Sequence, residues 1–110
     1  MPRTVKIGPY RYSLLVDDAA VAAQERASND SIDAFTSLAK HEMRFSSAAH
    51  QPVSVIHEVL HALFDLTGAN IRLGSEREED VIQSIDHLIV ALLQENPALI
   101  RYLVESESAV

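Results

Sequence analysis

His57-Glu58-Val59-Leu60-His61 is the stretch of this 110-residue chain around which the fold and the chemistry are organised. Two histidines four positions apart on a helix point at one spot, where each imidazole can offer a neutral nitrogen to a metal ion. Glu58 stands on the adjacent side, where it can take a proton from a metal-activated water. If the segment is helical, the pattern predicts a zinc site with Glu58 as general base.

The residues on either side predict that helix. Pro52 suits a first helical turn, where its missing N–H costs nothing, and Gly68 follows the last apolar residue as a terminator. Between them, apolar side chains recur at spacings of three and four and would bury one face: Val53, Ile56, Leu60, Leu63 and Phe64. A helix over about 52–66 is expected. The alternative is an ordinary core helix whose histidines happen to fall four apart.

A catalytic zinc takes three protein ligands, so a third must come from another part of the chain. The chain contains no cysteine, and no histidine follows His61 at the spacing that some zinc peptidases use for a third ligand. An acidic cluster, Glu76-Arg77-Glu78-Glu79-Asp80, does follow, and it opens a long apolar-periodic stretch from Val81 to Leu93. One of these carboxylates is the predicted third ligand.

Helical geometry favours Glu78 among them. A ligand must point toward the first helix, and Glu78 precedes Val81 by three and Ile82 by four, at the start of the stripe expected to be buried. Glu79 is the fallback, since it lies three before Ile82 but otherwise aligns with polar residues such as Asp86. A second interpretation needs no metal, because the helix dipole favours acidic residues in a first turn whatever the function.

Three further side chains have two interpretations each. Asp65 lies one turn beyond His61 on the same face, so it either orients that imidazole from behind or is a surface carboxylate. His41 and His50 either contact a substrate or an oxyanion or are solvated, and isolated histidines are more often solvated.

Three segments of the second half carry a resemblance to a known family. They are Val55-Ile56-His57-Glu58-Val59-Leu60-His61-Ala62-Leu63, Glu78-Glu79-Asp80-Val81-Ile82 and Asn96-Pro97-Ala98-Leu99-Ile100. On them the chain resembles the gluzincin class of zinc metallopeptidases. It looks most like the very small, often phage-encoded members, and more distantly like the ImmA/IrrE-type peptidases.

That resemblance implies a function. It implies Zn²⁺ bound by His57, His61 and a glutamate on a following helix, with Glu58 as the general base for peptide-bond hydrolysis. The implied partner is a peptide or protein substrate. Two non-catalytic alternatives stay open: an interaction protein that zinc stabilises, and a metal-free phage-type interaction protein. A fourth protein ligand, for which Asp65 and Glu79 are the nearest options, would favour the first of them.

The first half of the chain predicts strands. Residues 5–7 and 10–16 flank a Gly8-Pro9 turn signal, a short helical turn is expected over 19–26, and residues 34–38 and 41–45 are predicted to be extended. We expect an α+β fold, a minimal zincin-like domain over 1–110 in which 1–50 are mostly strands and loops and 51–105 are helical and bind metal. The resemblance makes 41–45 the edge strand that would hold an extended substrate.

Charge and composition narrow the class of protein. A net charge of −7 with scattered Lys and Arg argues against a general affinity for nucleic acid. No apolar run resembles a signal peptide or is long enough to span a bilayer, so we expect no membrane partner. The absence of cysteine is compatible with a reducing compartment, and a cytoplasmic location is predicted. The oligomeric state is left open.

Overall fold

The computed structural model describes residues 1–49 and 51–106, which form strands in the first half and helices mainly in the second. The strands are β1 (Thr4–Ile7), β2 (Tyr10–Val16), β3 (Ala34–Ser37) and β4 (Glu42–Phe45). The helices are α1 (Asp18–Ser28), α2 (Pro52–Thr67), α3 (Ala69–Leu73), α4 (Ser75–Glu95) and α5 (Pro97–Glu105). The predicted α+β class is confirmed.

The hairpin of β1 and β2 depends on its turn. Ile7 pairs with Tyr10, which leaves Gly8 and Pro9 as a two-residue connection. Gly8 has φ +59°, and a Cβ on it would lie 2.5 Å from a methyl carbon of Leu66 on α2. Glycine adopts this left-handed backbone without strain, and it leaves room for the side chain of Leu66.

The sheet has the strand order β1-β2-β4-β3. Helix α1 leads from the end of β2 to β3, which returns across the sheet antiparallel to β4, and β4 then pairs parallel to β2. This helix is longer than the short turn predicted, and its N-cap Asp17 accepts a hydrogen bond from the backbone N–H of Ala20 at 3.0 Å. The expectation that 41–45 forms an edge strand is wrong. The parallel pairing places β4 inside the sheet and β3 at its edge.

One face of the sheet packs against α2 to form the core. Met43 and Phe45 are fully buried there, and Ala62 of α2 lies against them. Ile7, Tyr12 and Leu14 complete the buried cluster. Partly buried apolar residues of the strands and of the same helix face pack against it: Val5, Ala34, Val55 and Val59. Burial of these side chains fixes α2 across the sheet and thereby aims its opposite face outward.

The opposite side of α2 packs against α4. The predicted helix is confirmed from Pro52 in its first turn to the C-cap Gly68, whose φ of 78° suits glycine. Ile82 of α4 is fully buried at the interface between the two helices. Within residues 1–49 and 51–106, the structure contains no helix of the length and apolar character needed to cross a membrane.

Candidate metal centre

The side of α2 that faces away from the sheet presents both histidines of the HExxH motif. Their rings lie one helical turn apart, with centroids 5.0 Å from each other. Donor atoms of His57, Glu58 and His61 all lie within 4.8 Å of one another. The helix therefore converges the three side chains on one point, as the spacing predicts.

A single carboxylate from α4 joins the two histidines. One oxygen of Glu79 lies 2.9 Å from Nε2 of His57, and the other lies 2.9 Å from Nε2 of His61. Gln83, one turn further along α4, donates to Glu79 at 3.1 Å and steadies it. Two imidazole nitrogens and a carboxylate thus meet at the place where α2 faces α4.

The other nitrogen of each ring, Nδ1, also contacts a carboxylate of α4. Nδ1 of His57 lies 2.9 Å from Asp86, and Nδ1 of His61 lies 2.5 Å from Glu78. Both carboxylates are well shielded, with 11% and 12% of their side-chain surface exposed. A carboxylate at Nδ1 keeps a proton on that nitrogen, and this orients the ring so that Nε2 points forward.

The charge on Asp86 is stabilised despite its burial. Burial alone would raise the pKa of this carboxyl, but hydrogen bonds from His57 and His87 outweigh that effect and hold the pKa below its ordinary value. The backbone N–H of His87 donates to Asp86 at 2.6 Å. Asp86 is thus an ionised acceptor for the Nδ1–H of His57 over the ordinary pH range.

Glu58 occupies a different environment. It is only 6% exposed, and its Oε1 accepts a hydrogen bond from the hydroxyl of Thr36 on β3 at 2.7 Å. Burial raises the pKa of Glu58, while Thr36 and the two histidines offset part of the rise. Within the described chain no group donates to Oε2. A carboxylate with a raised pKa and one free oxygen is a stronger proton acceptor than an ordinary glutamate.

The donor set fits a zinc ion. With bonds of about 2.0–2.1 Å, the ligand atoms of a tetrahedral zinc lie about 3.3 Å apart. The 2.9 Å contacts join each Nε2 to a different oxygen of Glu79, so they place this carboxylate between the two rings, as a ligand of a shared ion would be. Two nitrogens and one oxygen, with both rings held at Nδ1, also have the chemistry of a site with three protein ligands.

A groove opens over the two histidines. It has a volume of about 570 Å³ and is lined on one side by β3 and on the other by α2 and α4. A second hollow of about 280 Å³ shares His57, Glu58 and Glu79 with it and extends toward Val53 at the start of α2. His57, Glu58 and Glu79 therefore line both hollows.

The predicted residues fall into distinct places. His57, Glu58 and His61 come together with both candidate glutamates, but Glu78 contacts Nδ1 of His61, whereas Glu79 contacts both Nε2 atoms. Asp65 bonds to Asn70 and makes no hydrogen bond to His61. His41 lies away from the groove, against the rings of Tyr10 and Tyr12, and His50 lies outside the described residues.

Sequence reasoning missed two members of the site. The sequence pattern groups Asp86 only with polar residues of α4, yet it is buried, with 8% exposed. Its spacing of seven from Glu79, with Ile82 between them, was the available signal, because this spacing puts all three on one side of α4. Thr36 gave no local signal, since only the sheet brings it near α2.

Comparisons with known proteins identify no relative. No family model, no curated protein and no solved structure matches the chain.

Proposed function

We propose that this protein is a minimal zinc-dependent peptidase, in which His57, His61 and Glu79 bind the metal and Glu58 is the general base. The proposal keeps the sequence expectation of a glutamate from the second helix but prefers Glu79 to Glu78. The observation that carries it is the pair of 2.9 Å contacts from one carboxylate to both Nε2 atoms, on rings whose Nδ1 atoms already have partners.

Glu79 and Glu78 have different roles because they contact different ring nitrogens. Glu79 has 41% of its side chain exposed and faces the groove, as a ligand beside an open coordination position must. Glu78 is more buried and acts on His61 from the opposite ring nitrogen. Asp86 does the same for His57, so each histidine has its own orienting carboxylate.

The chemistry then depends on Glu58. A zinc ion held by His57, His61 and Glu79 would supply a Lewis acid for the substrate carbonyl and would lower the pKa of water. The free Oε2 of Glu58 accepts a proton from the attacking water as the water oxygen bonds to the carbonyl carbon. Glu58 then gives that proton to the amine nitrogen as the peptide C–N bond breaks. Thr36 holds Oε1 throughout, so the carboxylate keeps its orientation.

The edge strand β3 gives a peptide a place to bind. It lines the groove, and within the described residues its outer edge pairs with no other strand. An extended peptide can hydrogen-bond to such an edge through its main chain, which holds the scissile bond without a deep side-chain pocket. This fits a groove that is open and shallow.

A second candidate is a structural zinc site without catalysis. The observation that favours it is that a donor atom of Glu58 also lies within 4.8 Å of those of both histidines, so four protein groups are near one point. If Glu58 closed the coordination sphere as a fourth ligand, no position would remain for water and substrate. The hydrogen bond from Thr36 opposes this, because it holds one oxygen of Glu58 on β3.

The substitution Glu58→Gln separates the two candidates. For the peptidase, the variant retains one zinc per chain, and cleavage of a degenerate quenched-fluorescence peptide library falls by roughly 10²–10⁴-fold. Glu76→Gln, an exposed first-turn carboxylate on α4 outside the groove, is the matched control and keeps wild-type activity. Undiminished cleavage by Glu58→Gln would overturn the mechanism, and loss of zinc from that variant would favour the structural site.

A further inference from the structure

Asp65 lies in the groove one helical turn beyond the metal-binding histidines. His57, His61 and Asp65 follow each other at four-residue spacing on α2, and all three line the groove. At a rise of 1.5 Å per residue, Asp65 is about 6 Å further along the helix than His61. That distance is close to the length of an extended Lys or Arg side chain.

The carboxylate of Asp65 has no positively charged partner. Its Oδ1 accepts a hydrogen bond from the amide of Asn70 at 3.2 Å, and among the described residues no Lys or Arg forms an ion pair with it. Asn70 also carries a buried amide oxygen to which no described residue donates. Because that amide oxygen is buried, the exposed carboxylate of Asp65 is the acceptor that a ligand in this end of the groove can reach.

The surroundings of Asp65 suit a long cationic side chain more than a small cation. Leu38 lines the same groove at the end of β3 and is 37% exposed, so it offers an apolar surface for the aliphatic part of such a side chain. Lys and Arg commonly pack their stems on apolar surface while their charged ends reach a polar group.

The charge of the groove favours the same class of ligand. Five carboxylates line it and no Lys or Arg does: Asp30, Glu58, Asp65, Glu78 and Glu79. A zinc ion would contribute only two positive charges, so the groove stays negative when it is loaded. Opposite charge attracts a basic segment and like charge repels an acidic one, which sets specificity as well as encounter rate.

We propose that the substrates are peptides or protein segments with Lys or Arg next to the scissile bond, whose charged end binds Asp65 while its stem lies on Leu38. This inference rests on the proposed peptidase function, since it takes the two histidines as the point where the scissile carbonyl sits. Asp65 is the specificity-determining residue, and it takes no part in the chemical step.

The test measures binding in a variant that cannot turn over. Zinc-loaded Glu58→Gln protein is titrated with three degenerate hexapeptide pools that differ only at one central position, which holds lysine, norleucine or glutamate. Norleucine keeps the apolar stem and removes the charge. The same titrations are repeated after adding Asp65→Asn, which retains an acceptor for Asn70, or Asp80→Asn, an exposed carboxylate outside the groove that serves as the matched control.

We expect the lysine pool to bind about 10-fold more tightly than the norleucine pool, with the glutamate pool weakest. Asp65→Asn should reduce the lysine preference to about 2-fold or less, and Asp80→Asn should leave it unchanged. Equal affinity for lysine and norleucine, or a preference that survives Asp65→Asn, would overturn the inference. Cleavage of the pools by the wild type is measured beside it, so that absent hydrolysis with intact lysine preference contradicts the peptidase proposal alone.

Discussion

Helix α2 meets the sheet with Val55, Val59 and Ala62, and it meets α4 with His57 and His61. The centre of the sheet side is apolar and fully buried, so shape and dispersion hold it together, and the hydrogen bond from Thr36 to Glu58 lies at its β3 edge. The α4 side gathers two imidazoles and four carboxylates into a small volume. Desolvation of charged groups costs stability unless each one has a partner.

The difference indicates that the two sides serve different ends. The sheet side supplies the free energy of folding and fixes where α2 lies. The α4 side holds ionisable groups close together, which lowers the free energy of unfolding. Such an arrangement is expected at a functional site and is rarely useful for packing alone. Substitutions on the two sides should therefore differ in kind as well as in size.

The largest expected effect is on the sheet side. Phe45→Ala removes a fully buried ring from the centre of the core, and it should lower the free energy of unfolding by about 3–5 kcal/mol. Denaturant unfolding of the metal-free protein checks this. Leu15→Ala on β2, where 42% of the side chain is exposed, is the control and should cost far less. If Phe45→Ala lowered the free energy of unfolding only slightly, the core would lie elsewhere.

On the α4 side, removal of a supporting carboxylate should weaken metal binding more than folding. Asp86→Ala deletes the acceptor that orients His57, and zinc affinity should fall about 10–100-fold, with Asp86→Asn toward the lower end because it retains an acceptor oxygen. Competition with a chromogenic chelator measures the affinity. Asp80→Asn, which is exposed on the same helix, should bind zinc as the wild type does. Unchanged affinity in Asp86→Ala would remove the role assigned to this carboxylate.

The smallest effect has the opposite sign. Glu58 is buried and its pKa is raised, so the folded state binds this proton more tightly than the unfolded state does. Stability of the metal-free wild type should fall as pH rises from the ordinary Glu pKa through the raised one. Glu58→Gln cannot titrate and still accepts a hydrogen bond from Thr36. It should therefore be more stable than the wild type at neutral pH, with a higher Tm.

That gain should disappear in acid. Below the ordinary Glu pKa the carboxyl is protonated in both the folded and the unfolded wild type, and the two proteins should melt together. Thermal melts in chelator at pH 7 and pH 4 compare them. An equal difference at both pH values would show that the substitution acts through packing rather than through the buried charge.

Local features of the sequence predict most of the fold. The Gly8-Pro9 turn, the start of α2 at Pro52 and its end at Gly68 each depend on backbone preferences that a short segment reveals by itself. The position of β4 inside the sheet could not be read in this way. It depends on α1 carrying the chain across the sheet, and strand order is a property of the whole topology.

The candidate site shows the same limit. The histidines and Glu58 share one helical turn, so their convergence follows from spacing alone. Choosing between Glu78 and Glu79 by the buried stripe finds the side chain that is closer to the helix interface, which is Glu78. The proposal of Glu79 rests instead on its contacts with both Nε2 atoms, which depend on how α4 packs against α2. Thr36 is separated from Glu58 by 22 positions, and only the folded sheet brings them together.

Zinc binding by glutamate variants tests whether His57, His61 and Glu79 hold the metal. Stoichiometry and affinity are measured for the wild type, Glu79→Gln, Glu78→Gln and the double variant His57→Ala, His61→Ala. We expect one zinc per chain in the wild type, none in the double variant, and a larger loss of zinc affinity for Glu79→Gln than for Glu78→Gln. A wild type that takes up no zinc, or a larger loss for Glu78→Gln, would contradict this assignment.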